Sequence, residues 1–209
     1  MKPRIDKLGT LDCDLVETNP VLFANRLYRF DYVRPGYGPN DTGDSYFRFV
    51  DWETQEPTAD ECTYAKDRYT APHCLRYANG WYYNFYLEAH EGYEQRVVRS
   101  RDLIHWEASP LNPVLRASDD DRRIANDALS AADRQRIAVG ENLNNSDIDF
   151  CQWQGQLWLT YAWGNQRGVE FLAAARYDGT EIEFLEGWFP DTRQRETPVS
   201  PLVGRRLMI

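Results

Sequence analysis

The chain has 209 residues, enough for one sizeable hydrophobic core or two small ones at most, and it reads as one domain. Its formal net charge of −9 repels phosphate backbones and anionic lipid, so no nucleic-acid or membrane partner is expected and a neutral ligand fits better. Aromatic residues make up 14% of the chain, with 13 Tyr and 7 Trp, a content that suits β-sheet cores and sugar-stacking surfaces equally.

The first residues, Met1-Lys2-Pro3-Arg4-Ile5-Asp6-Lys7, carry charge with no apolar run behind it, and no long apolar run follows. A cytoplasmic protein is therefore expected, neither secreted nor membrane-spanning. Cys13, Cys62, Cys74 and Cys151 are far apart and form no C-x-x-C pair, which points to buried, reduced thiols and away from a zinc site or a disulfide scaffold. His73, His90 and His105 are scattered too, so no metal cluster and no cofactor are expected.

Three self-similar units follow one another. Thr18-Asn19-Pro20-Val21-Leu22-Phe23-Ala24-Asn25-Arg26-Leu27-Tyr28-Arg29-Phe30 reads as an apolar strand, a turn and an aromatic strand. Thr70 to Tyr86 repeats the pattern around Asn79-Gly80, and Ser146 to Tyr161 repeats it around Gln154-Gly155. Those dipeptides supply the positive φ that tight hairpins need, and the flanking alternation has the period of half-buried strands. A third strand is predicted after each hairpin, at Ser45–Val50, Glu94–Ser100 and Val169–Arg176. Fourth strands are predicted at Ile104–Glu107 and near Ile182–Phe184.

Two stretches break the β pattern. Pro35 to Asp44, rich in Gly, Pro, Asn and Asp, reads as a loop. Asp119 to Asn142 is charged and Ala-rich, with Ser130 as N-cap and Asp133 three residues on, which predicts a short helix at 130–139 in a solvated excursion between sheets. The expected architecture is all-β: a propeller of about three blades of antiparallel four-stranded sheets with that helical insertion. The blades fall at roughly 10–60, 63–118 and 143–190 of a single domain over 1–190, followed by a tail at 191–209.

Ser100-Arg101-Asp102-Leu103-Ile104-His105-Trp106-Glu107 resembles the S-x-D-L-x-x-W-E signature at outer-strand turns of glycoside hydrolase families 43 and 32. Physically, its Ser and Asp can close a tight turn onto the backbone while Trp106 packs between sheets. Leu8 to Pro20, Asn144 to Asp149 and Trp163-Gly164-Asn165-Gln166 resemble segments of a family 43-like group of unassigned activity. The resemblance implies a five-bladed relative of which roughly two central blades are missing here. An opened ring would expose sheet edges, so a homodimer or other homo-oligomer that covers them is expected.

In propellers the innermost strands start around one axis, which brings Glu17-Thr18-Asn19, Thr70 to His73 and Asn145 to Asp149 to one funnel. The families named use three carboxylates there, one ionised, one held protonated and one that orients. Asn19 stands before Pro where those enzymes usually carry the basic Asp, and Glu17 is its candidate replacement; the alternative for Glu17 is a solvated carboxylate. Asp147 and Asp149 share a strand face at period-two spacing and can meet in one pocket, or Asp147 closes a turn with Asn145 and Ser146. The resemblance makes Glu170 the candidate acid, with Glu88 in reserve. Arg29 and His73 are candidates for binding hydroxyls or a carboxylate, Trp163 for stacking on a sugar, and Asn165 for a polar contact beside it. A divalent cation such as calcium has donors in Asp147 and Asp149 but no calcium-loop spacing. The function expected is a glycoside hydrolase-like protein that acts on or binds a carbohydrate in the funnel, by two carboxylates if active; the alternative is a non-catalytic carbohydrate-binding or self-assembling minimal propeller that has lost hydrolase activity.

Overall fold

Three two-residue turns organise the strands of this chain, whose computed structural model describes residues 8, 10–13, 15–33, 46–58, 70–90, 92–165 and 167–190. Ala24-Asn25 (φ 47° and 60°), Asn79-Gly80 (48° and 81°) and Gln154-Gly155 (51° and 78°) are all left-handed at both positions, as the twist of adjoining strands requires. A Cβ on Gly80 or Gly155 would meet nothing within 4 Å, so φ alone selects glycine there. The turns join β1 (Leu15–Phe23) to β2 (Arg26–Val33), β4 (Thr70–Ala78) to β5 (Trp81–His90) and β8 (Asn144–Trp153) to β9 (Gln156–Gly164).

A third antiparallel strand follows each hairpin: β3 (Tyr46–Asp51), β6 (Gly92–Ser100) and β10 (Glu170–Tyr177). β1–β2–β3 is a separate sheet. The other two groups touch through one parallel pairing, Tyr93 of β6 with Asn144 of β8, and so form one larger mixed sheet. The chain is predominantly β, and no sheet closes on itself among the described residues.

Alternation on β5 and β6 explains the packing. Tyr82, Tyr86 and Val98 face the first sheet, where Val21, Phe30, Tyr32, Phe47 and Phe49 complete a buried cluster. Tyr83, Phe85 and Val97 point the other way and pack on Ile148, Phe150, Leu157 and Leu159 of β8 and β9. The middle sheet is thus covered on both faces, which is why Tyr82 to Glu88 is buried without a break. Each large apolar side chain buried here contributes about 1.5–3 kcal/mol.

The S-x-D-L-x-x-W-E stretch folds as its chemistry demands. Ser100 Oγ accepts from the backbone N–H of Asp102 (3.2 Å) and Leu103 (2.9 Å), and Asp102 Oδ1 accepts from Ile104 (2.9 Å) and His105 (2.8 Å). Leu103 takes φ 62°, and the Trp106 ring lies nearly parallel to Phe49 at 6.0 Å between centroids. The strand predicted at Ile104–Glu107 shrinks to β7 (Glu107–Ala108), because those turn bonds occupy the backbone before it.

The strand predicted near Ile182–Phe184 is a helix, α2 (Glu181–Gly187). Thr180 accepts from the Glu183 N–H (3.2 Å) while Glu183 Oε2 accepts from the Thr180 N–H (2.7 Å), a reciprocal cap that starts a helix. Phe184 and Leu185 then enter the core beside Phe85 and Phe150. Among the described residues only the middle group, β4–β5–β6 with the two-residue β7, has four antiparallel strands: the first and third groups have three each, and the parallel contact of β6 with β8 departs from a purely antiparallel design.

The insertion carries α1 (Ala131–Val139), capped by Ser130 Oγ accepting from the Asp133 N–H at 3.1 Å, with no buried residue. Its anchor is Asp121, in a 3₁₀ turn at Asp119–Arg122. Of the thiols, Cys74 is buried but Cys13 and Cys151 are exposed, contrary to expectation; Cys62 lies outside the described residues. Cys151 is exposed because, among the described residues, no sheet lies against the face of β8 that carries it. The Pro35–Asp44 loop and the 191–209 tail also lie outside them.

Candidate functional site

β1, β4 and β8, the first strands of the three groups, line one cavity of about 880 Å³. β1 and its turn contribute Pro20, Leu22 and Asn25, β4 contributes Cys74, Arg76 and Tyr77, and β8 contributes Asp147 and Asp149. The size suits a ligand larger than a single small molecule fragment, within the range of about 300–1,000 Å³ typical of binding pockets.

A β-bulge between Ser146 and Asp149 shapes the β8 wall, with Asp147 at φ 54°. Both carboxylates line the cavity, with the buried Ile148 between them. Ser146 Oγ donates to Asp147 Oδ2 at 2.8 Å. Asp149 Oδ1 accepts from Arg76 Nη2 (2.5 Å), the Phe150 N–H (2.8 Å) and the Cys74 thiol (3.6 Å). Burial pushes the Cys74 thiol up to about 12; Arg76 opposes the shift and Asp149 adds to it.

Another part of the lining is apolar. Tyr77, 63% exposed, rests against Tyr82 with centroids 4.8 Å apart, and Leu22, 66% exposed, stands beside them. Tyr82 is itself fixed, donating its hydroxyl to the Leu22 carbonyl at 2.5 Å. The cavity therefore combines aromatic and aliphatic surface with two carboxylates and one guanidinium.

The other predicted residues are distributed as follows. Glu17 and Asn19 lie on β1 and His73 on β4, with side chains outside the described residues. Glu170 opens β10, exposed and away from the cavity. Arg29 is buried on the first sheet, donating to Asp31 (2.8 Å), Asp12 (2.7 Å) and Gln55 (2.9 Å). Glu88 is buried, accepting from Tyr86 Oη (3.0 Å) and Arg96 (3.3 Å).

Asn145 is buried and donates to Asp121 (3.1 Å) and the Asn144 carbonyl (2.9 Å). Trp163 is 1% exposed, packed on Phe171 at 4.6 Å with the Arg122 guanidinium at 6.0 Å over its ring, so its face is not open to a sugar. Asn165 closes a turn, accepting from the Arg167 and Val169 N–H groups (2.8 and 3.1 Å) and donating to Glu141 (2.9 Å). For Arg29, Glu88, Asn145, Trp163 and Asn165, local packing uses the polar or aromatic surface that ligand binding would need.

Among the described residues no group of three or more His, Cys, Asp or Glu is placed to hold a metal ion. Asp147 and Asp149 are too few donors for calcium, and Arg76 already neutralises one of them. No described helix is long and apolar enough to cross a membrane. Sequence reasoning missed Arg76, Tyr77 and Leu22. The signal was there in Cys74-Leu75-Arg76-Tyr77, where a charged residue interrupts the inner strand of an otherwise apolar hairpin.

No protein-family model matches the chain, and no curated protein matches its sequence. Solved structures do match. The structure of a BT0996 RGII complex has a TM-score of 0.55 at 12% identity, over 81% of this protein and 50% of the other. An endo-1,4-beta-xylanase from Bacteroides thetaiotaomicron VPI-5482 has a TM-score of 0.50 at 12% identity, over 83% of this chain and 62% of the other. A xylan beta-1,4-xylosidase from Bacillus halodurans C-125 has a TM-score of 0.48 at 14% identity, over 82% of this chain and 32% of that enzyme. The chain shares the fold of the BT0996 protein and of that xylanase.

At such identities the likeness is one of fold, and this chain spans less than two thirds of the length of each of those proteins. The cavity of this chain holds an ion-paired Asp149, Asp147 beside it and an exposed Tyr77.

Proposed function

We propose that the protein binds a carbohydrate in the cavity where β1, β4 and β8 meet, these being the inner strands of three blades that share an axis. One observation carries the reading: the cavity is lined both by an exposed aromatic, Tyr77, and by the polar groups of Asp147, Asp149 and Arg76. A sugar ring has the matching chemistry, an apolar C–H face for the tyrosine and hydroxyls that donate to carboxylates. The fold shared with glycoside hydrolases supports the same substrate class.

Binding without hydrolysis is favoured over catalysis. Asp149 is already paired with Arg76, and Glu170, the candidate acid, is not among the residues that line the cavity. The competing reading, hydrolysis, has Glu17 in its favour, because β1 lines the cavity a few residues further on.

Titration calorimetry with neutral xylo- and arabino-oligosaccharides tests the proposal. Binding is expected, weakened about tenfold in Tyr77→Ala and retained in Tyr77→Phe, since a lost stacking surface costs about 1.4 kcal/mol or more. Absence of binding to any saccharide, or equal binding by Tyr77→Ala, overturns it. Turnover of an aryl glycoside that disappears in Glu17→Gln or Asp149→Asn would establish the hydrolytic reading instead.

A further inference from the structure

The charged lining of the cavity is unbalanced. Among the described residues it consists of two carboxylates, Asp147 and Asp149, and one guanidinium, Arg76. Arg76 is engaged on every side: Nη2 donates to Asp149 Oδ1 (2.5 Å) and to the Phe150 carbonyl (3.2 Å), Nη1 donates to the Leu75 carbonyl (3.1 Å), and Nε lies 3.6 Å from Glu181. Asp149 is thereby compensated. Asp147 is not, since among the described residues no Arg, Lys or His forms an ion pair with it.

The Asp147 carboxylate is nonetheless held in place. Ser146 Oγ donates to its Oδ2 at 2.8 Å, and Asn144 Nδ2 donates to Ser146 Oγ at 3.1 Å. Both supporting side chains are buried, whereas Asp147 itself is exposed. A carboxylate anchored from beneath in this way leaves Oδ1 to a ligand and loses little freedom when it pairs with one.

We propose that, given carbohydrate binding in this cavity, the preferred saccharide carries an ammonium group, as an amino sugar does, and that Asp147 selects it. The ammonium supplies the cation that Asp147 lacks, while the exposed Tyr77 in the same lining offers a π face to the C–H groups of the ring or to the cation itself. A sugar acid meets the reverse, because its carboxylate adds a third negative group to a lining whose guanidinium is taken. The net charge of −9 acts in the same sense, drawing cations toward the protein.

Titration calorimetry with glucosamine oligomers and their N-acetylated counterparts tests this, in mildly acidic buffer of low ionic strength where the amine is protonated. The two ligands share a backbone and differ at the nitrogen. The charged oligomer should bind about fivefold more tightly, the worth of one partly screened ion pair, and the ratio should shrink on added salt. In Asp147→Asn the ratio should fall to about one; asparagine tolerates the left-handed φ of 54° there, so the thermal midpoint should show the fold retained. Ser146→Ala, which releases the carboxylate from its buried donor, should lower the ratio part-way in a chain that keeps Asp147. Equal affinities in the wild type, or a preference that survives Asp147→Asn, overturns the proposal, and xylo-oligosaccharide binding that depends on Tyr77 would then leave the carbohydrate reading standing. Absence of binding by every saccharide, amino sugars included, overturns both.

Discussion

Arg76 Nη2 lies 2.5 Å from Asp149 Oδ1, joining β4 to β8 through residues 73 positions apart in the chain. Arg76 also donates to the Phe150 carbonyl at 3.2 Å, lies 4.8 Å over the Phe150 ring and sits 3.6 Å from Glu181. The Asp149 side chain is 70% exposed, so solvent screens the pair and its worth is about 0–1 kcal/mol. Arg76→Gln should therefore lower the stability measured by urea unfolding by less than about 1 kcal/mol. A loss above about 3 kcal/mol would mean that the pair behaves as a buried one and holds the sheets together.

Thiol chemistry separates the buried from the exposed cysteines. Burial pushes Cys74 up to about 12, whereas Cys13 and Cys151 stand in solvent. At mildly alkaline pH a disulfide reagent should modify Cys13 and Cys151 rapidly and Cys74 only on unfolding, because the thiolate is the reactive form. Cys74→Ser should abolish the slow phase and leave the fast ones. Rapid labelling of Cys74 in the native protein would contradict the packing described for β4.

Two glycines distinguish backbone strain from steric collision. Gly80 has φ 81° and open space at its Cβ position, so Gly80→Ala should cost about 1–2 kcal/mol, the penalty of a left-handed residue. At Gly164 a Cβ would stand 1.8 Å from the Val169 carbonyl oxygen and 2.7 Å from its carbon, both backbone atoms. Gly164→Ala should therefore cost more than about 4 kcal/mol or prevent folding, because the β9–β10 connection has to move. Comparable melting temperatures for the two variants would refute the distinction.

What the sequence disclosed follows the range of the interactions involved. Asn79-Gly80, Gln154-Gly155 and the Ser100–Glu107 turn are settled by neighbours within a few residues, and each was legible. The Thr180 and Glu183 cap of α2 was equally local, but the β-like run Ile182-Glu183-Phe184 masked it. Site residues depended on which face of each strand another sheet covers. Trp163 and Asn145 read as polar or aromatic residues near an inner strand, yet the insertion and β10 cover them. Arg76 and Tyr77 became cavity residues only through the placement of β1 and β8, which a single-strand pattern does not encode.

Asp121 ties the insertion to the third sheet and should give it a pH-dependent stability. It accepts from Tyr161 Oη (2.7 Å), Asn142 (2.8 Å), Asn145 (3.1 Å) and the Ser118 N–H (2.9 Å). Burial opposes its charge, but these bonds, that from Tyr161 foremost, hold it below the ordinary 3.8. A depressed carboxylate stabilises the fold fully above 3.8 and loses that contribution as pH falls through its lower folded value. Tyr161 moves the other way, raised above 10.0 by burial, by its bond to Asp121 and by the charges of Asp121 and Asp120. Its contribution is complete below 10.0 and is lost as pH climbs through the raised value. Urea midpoints across pH should thus show a plateau that declines at both ends. Other carboxylates titrate in the acid range, so the difference between wild type and Asp121→Asn isolates this one. That difference should be largest at neutral pH and shrink below 3.8. Asp121→Ala, which leaves the Tyr161 hydroxyl and Asn145 amide buried without their acceptor, should cost on the order of 3 kcal/mol at neutral pH. A difference curve flat from acid to neutral pH would mean that Asp121 is not the charged hub of this cluster.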